Sequence, residues 1–259
     1  MTLRELQAIL AYRLGVARYL FIHIPKNAGV AINRAPALQY RVIRPEPFFH
    51  KSRAYTRELA KFMKSRGEHH GFQHARWRDL HPNVQKRLRA VALVRNPWAR
   101  VVSRYRYART AIAMDKARPD YIADTFEGFL EERHEYGDLP FFWHRAIRGW
   151  YPQADYVTDE TGALRVDVLR LEAMNEEVTR YFGLSEPVAK RNVSIGPEQD
   201  YRRYYTPQTI QVVADWYARD IRLFGFDFDT LATRNTFYTG PAAQSAVDTM
   251  PQSTYTRNR

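Results

Sequence analysis

Short apolar runs alternate along the chain with segments whose apolar residues recur every three or four positions. Four runs are rich in β-branched or aromatic residues: 19–24 (YLFIHI), 91–94 (VALV), 156–158 (YVT) and 166–171 (VDVLRL). Each has the length and composition of a buried strand. Helical spacing predicts helices over 53–64, 83–88, 98–111, 125–133, 172–182 and 207–224. Thr125 stands where it can cap the fourth of these, and Thr206 precedes Pro207 at the start of the last, which Gly225 ends. Strands that alternate with helices argue for an α/β fold with a mainly parallel central sheet flanked by helices. After Asp229 the periodicity stops. One domain is therefore expected over 1–230, followed by a polar tail over 231–259.

Composition narrows the chemistry. The 259 residues suffice for one large or two small domains, and 45% of them are hydrophobic. Cysteine is absent, which excludes disulfides, thiolate metal sites and a thiol nucleophile. The N-terminal stretch is interrupted by Arg4, Glu5, Arg13 and Arg18, so no signal core or membrane span is predicted and a cytoplasmic location is expected. A formal charge of +12 favours anionic partners. Nucleic acid, acidic glycans, phosphorylated cofactors and anionic lipid all remain open on charge alone.

Two stretches have the form of anion cradles. In the first, the predicted strand 19–24 breaks at Pro25, and Lys26, Asn27, Ala28, Gly29, Val30 and Ala31 lead into a helix start. A short strand-to-helix loop offers free backbone N–H groups, small residues admit a phosphate, and a lysine adds charge. The Walker pattern G-x-x-x-x-G-K-[ST] is absent, which disfavours ATP hydrolysis and a nucleotide kinase. An ordinary tight turn is the competing reading. In the second stretch, 91–107, a strand ends at Arg95-Asn96-Pro97 and a helix follows. Arg95 thus emerges at a strand's C-terminal end, where open α/β sheets bind ligands. Ser103 lies two turns into that helix among Arg100, Arg104 and Arg106. Taken alone, this is also a basic, solvated helix.

Between the two cradles, GEHHGFQHARW supplies His69, His70 and His74. A near-neutral imidazole suits proton removal from a hydroxyl. Surface histidines are the plainer alternative. A zinc pair at His70 and His74 is disfavoured, because Gly71 interrupts any helix there and no carboxylate stands nearby.

The pair FIHIPKNAG and VRNPWARVVSRY resembles the two cofactor motifs of the sulfotransferases that use 3′-phosphoadenosine 5′-phosphosulfate (PAPS), the carbohydrate-type (family 2) branch in particular. TFEGFL, the stretch 155–184 and the stretch 201–228 resemble further parts of that branch, so the likeness spans about residues 19–228. The resemblance implies a P-loop-like three-layer α/β fold, PAPS as donor, the nucleotide PAP as product and a hydroxyl-bearing acceptor, a glycan above all. It implies that the Lys26 loop wraps the 5′-phosphosulfate and that Lys26 touches the bridging oxygen. It further implies that Arg95 and Ser103 hold the 3′-phosphate. A functional histidine between the motifs is expected, with His74 first and His70 second, and no metal. The loop at 191–196, with Arg191 and Ser194, falls where a family loop can close over the cofactor. The chain departs from the pattern at Val30 and Ala31, where the family carries Thr or Ser. That departure motivates a rival reading, a catalytically silent PAP-binding protein of the same fold. The net charge motivates another, a nucleic-acid-binding protein.

Overall fold

The computed structural model describes residues 2–65, 71–113, 124–136, 150–189 and 200–229. His69, His70, the loop at 191–196 and the polar tail lie outside the described residues.

Among the described residues, four strands form one parallel sheet in the order β2-β1-β3-β4. They are β1 (Tyr19–Ile22), β2 (Val42–Ile43), β3 (Arg89–Val94) and β4 (Asp167–Arg170). Tyr19 pairs with Arg89 and Ile22 with Ala92, and Val91 pairs with Asp167. Alternate strand residues enter two separate cores. Leu20, Ile22, Ala90, Ala92, Val94 and Val168 face one core, and Phe21, Val91, Leu93 and Leu169 face the other. This is the period of two expected of a sheet covered on both sides.

The second core is closed by α2 (Gly29–Asn33) and by α8 (Met174–Phe182). The first takes α1 (Leu3–Arg13), α3 (Arg53–Ser65), α4 (Pro82–Arg87), α5 (Pro97–Ala113), α6 (Phe126–Tyr136), α7 (Ala154–Val157), α9 (Pro207–Trp216) and α10 (Ala218–Phe224). Helices on both faces of a parallel sheet make the three-layer α/β architecture expected from the sequence. The chain leaves β1 toward β2 on one side and returns to β3 on the other. The gap between the C-terminal ends of β1 and β3 is therefore the topological switch point, the place where such sheets bind ligands.

Two expectations need correction. Residues 156–158 are not a strand: Ala154–Val157 is a single helical turn, and Thr158 makes only an isolated bridge to Leu164. The cause is the buried Asp220 carboxylate, which accepts from the N–H groups of Gln153 and Ala154 and so starts a helix. The predicted helix 207–224 is two helices broken at Tyr217. Its end signals hold, since Thr206 accepts from Thr209 N–H, Pro207 follows, and Gly225 is left-handed.

Candidate functional site

The loop after β1 is drawn tight by its own side chains. Lys26 and Ala28 both adopt left-handed backbone conformations, with φ of 69° and 53°. Each costs a residue with a Cβ about 1–2 kcal/mol. Three anchors hold this conformation. The Asn27 side chain is 1% exposed, and its Nδ2 donates to Leu93 O and to Gln153 Oε1, both at 2.7 Å. Arg100 of α5 is buried; its Nε donates to Pro25 O at 3.2 Å and its Nη1 to Tyr151 O at 2.9 Å. The His23 imidazole lies so close to Gly29 that a Cβ there would sit 1.9 Å from Nε2. Any larger residue at 29 would have to displace the His23 ring. Strain held by surrounding structure is a mark of functional loops.

The end of β3 is built to face that loop. Gln153 Oε1 accepts from Arg95 N–H at 2.8 Å while its Nε2 donates to Arg95 O at 2.7 Å, so one buried amide ties both cradles together. Asn96 caps α5: its Oδ1 accepts from Trp98 N–H at 3.1 Å and Ala99 N–H at 3.3 Å. Asn96 N–H donates to Glu172 Oε1 at 2.6 Å. The Arg95 guanidinium reaches Lys26 O through Nη1 at 3.4 Å. Burial works against its charge, and the Glu172 carboxylate supports it.

Helix α5 then turns one face toward the loop. Arg100 touches Pro25, and the Tyr107 ring lies 3.9 Å beneath the Lys26 ammonium. Ser103 stands three residues after the first and four before the second, hence on the same face. Its hydroxyl makes no hydrogen bond to another side chain or to the backbone among the described residues. The Lys26 ammonium is pushed down to about 7, first by burial and then by Arg95 and Arg104. Burial out of water, with two guanidinium groups nearby, makes this lysine give up its proton near neutrality. Such a site fits an anion, and a phosphate above all.

The third component is His74. Gly71 is left-handed and opens a tight helical turn over Phe72–His74. His74 is 8% exposed, and its Nδ1 lies 2.7 Å from His23 O. A carbonyl only accepts, so Nδ1 carries the proton and Nε2 holds the lone pair of the neutral ring. The ring packs on His23, with centroids 4.4 Å apart, and His23 in turn packs on Gly29. His74 is thereby set beside the cradle.

Thus Lys26, Gly29, Arg95, Ser103 and His74 are brought together at the switch point. Two other expected cofactor residues are placed differently. The side chain of Asn27 turns inward and acts as an anchor. Ala31 is buried in the second core, and its N–H is already given to Ala28 O at 2.9 Å. Neither offers a side chain to a ligand. Val30 is exposed on the first turn of α2. Sequence reasoning missed Gln153, Glu172 and Asp220, which are joined to the site only by long-range contacts. It could have found Asn96 as a cap, because an asparagine before proline at a helix start is a recognisable signal.

The chain belongs to the Sulfotransferase family, whose profile matches residues 15–227. Sulfuryl transfer is the reaction class of that family. The protein is also similar to a solved structure described as a sulfotransferase from Alicyclobacillus acidocaldarius. That likeness has 16% identity and a TM-score of 0.41 and covers 82% of this chain and 96% of the other. No curated protein matches.

Proposed function

We propose that the protein transfers a sulfuryl group from PAPS to a hydroxyl of a carbohydrate or similar acceptor. The observation that carries this reading is the convergence of the Lys26 loop, Arg95 and the Ser103 face of α5 at the switch point, with His74 beside them. PAPS supplies the activated sulfuryl group and a good leaving phosphate. The free amides of the loop and Lys26 bind the 5′-phosphosulfate, and Arg95 and Ser103 bind the 3′-phosphate. Protonated Lys26 stabilises the charge that builds on the departing oxygen, a preorganised electrostatic role. His74 Nε2 takes the proton of the attacking hydroxyl, while the Nδ1–H bond to His23 O keeps the ring in that orientation.

Thermal-shift titration with PAP, AMP and ATP, followed by transfer of labelled sulfur from PAPS to a panel of glycans, tests this reading. PAP should stabilise the protein far more than AMP or ATP. Equal shifts with PAP and AMP would remove the 3′-phosphate site and with it the proposal.

A further inference from the structure

Helix α1 is turned inside out relative to an ordinary surface helix. Its core side is made of Ala8, Ile9 and Ala11, while the larger Leu3, Leu6, Leu10 and Leu14 are exposed. The spacing of these leucines (i, i+3, i+7, i+11) puts them on one stripe. Leu3 is 73% exposed, Leu10 47% and Leu14 76%, and Val16, past the helix end, is 47% exposed. Among the described residues nine large apolar side chains are exposed, and these five make up more than half of them. A contiguous exposed apolar strip marks an interaction surface.

The charges beside the strip define the partner. Residues 2–18 carry three arginines and one glutamate. Arg4 and Arg13, both exposed, lie on either flank of the leucines. Arg4 donates to Asn33 O at 3.2 Å and sits in the field of Arg44, the Glu46 carboxylate and Arg34. Exposed Arg87 lies over Tyr12 and donates to Arg13 O at 3.4 Å. We propose that the leucine stripe of α1 and its arginine rim form a docking surface for an anionic lipid bilayer. The helix lies in the interface, its leucines among the acyl chains and its arginines among the headgroups. A second copy of this chain fits less well, because a two-fold contact sets the same patch against itself and opposes the arginines. The exposed leucines of the stripe are not among the residues of the cradle, so the vesicle test does not depend on the proposed reaction.

Flotation of the full chain with vesicles tests the assignment. Phosphatidylcholine vesicles are compared with vesicles that also contain phosphatidylglycerol, at low and high salt. The expected result is at least about tenfold stronger binding to the anionic vesicles, weakened by salt. The double variant Leu10→Glu, Leu14→Glu should abolish binding while its melting temperature and PAP affinity remain those of the parent, since both side chains are exposed. Arg13→Glu should weaken binding to anionic vesicles without affecting the neutral ones. Absence of vesicle binding, or binding that survives the leucine variant, overturns the proposal. So does a dimer in light scattering that the leucine variant splits, which assigns the stripe to a second copy.

Discussion

The Lys26 ammonium titrates near neutrality because burial and two guanidinium groups oppose its charge, with its pKa brought from 10.5 to about 7. An anion bound beside it favours the protonated form and raises that value. Below pH 7 the lysine is already charged, and the proposed affinity for PAP should be at its full strength. Above 7 binding must take up a proton, so affinity should fall by up to about tenfold per pH unit until the bound-state value is passed. Calorimetry in two buffers of different ionisation heat checks the proton uptake, and Lys26→Met should flatten the profile. The same shift acts on stability. The unfolded chain holds this proton up to 10.5 while the folded chain loses it near 7, so Lys26 makes stability rise with pH across that window. His74→Ala should remove transfer activity yet change PAP affinity less than about twofold, because the histidine faces the acceptor side in this account. Parent-level turnover in that variant would end the proposed role of Nε2. At this scale the lysine, the arginine and the histidine were legible because each is a charged or titratable residue at a strand end or beside a loop glycine. That the Ala31 side chain faces the second core was not legible, because a motif position does not reveal which way its side chain turns.

Among elements, the loop and helix α5 carry most of the positional information. Ala28 is left-handed without any side-chain need for it, so Ala28→Gly should relieve about 1 kcal/mol of backbone strain and raise the melting temperature slightly. A lower melting temperature would show that the strain has been misassigned. Asn96 caps α5 and donates through Nδ2 to Asp227 O at 2.8 Å. Asn96→Ala should cost about 1–2 kcal/mol in denaturant unfolding and weaken PAP, since Arg95 is its neighbour. An unchanged midpoint would contradict the capping role. Elements with end signals were readable in advance: α6 begins after Thr125, whose Oγ1 accepts from Gly128 N–H, and α9 begins after Thr206. Two kinds of element were not. The turn at Ala154–Val157 depends on Asp220, far along the chain, and the break at Tyr217 follows a buried hydroxyl that donates to Trp150 O. Neither partner is visible in local periodicity. Helix α1 escaped because its apolar residues point both inward and outward, which erases the one-sided pattern that marks a surface helix.

For the whole molecule, sheet order decides where chemistry happens. The order β2-β1-β3-β4 opens a crevice between two strand ends, and the two motifs noticed in the sequence are the two sides of that crevice. The net charge of +12 found only part of its explanation there, in Lys26, Arg95, Arg100 and Arg104; another part lies in the arginine rim of α1. Composition alone could not separate these sites, because it carries no positions. Recognition of a nucleotide by its 3′-phosphate at the switch point is read out by calorimetric titration of parent and Arg95→Ala with PAP and AMP. The parent should prefer PAP by at least about tenfold, one charged hydrogen-bonded contact or more, and Arg95→Ala should bind the two nucleotides alike. A parent that binds PAP and AMP equally, or an Arg95→Ala variant that keeps the preference, would contradict it.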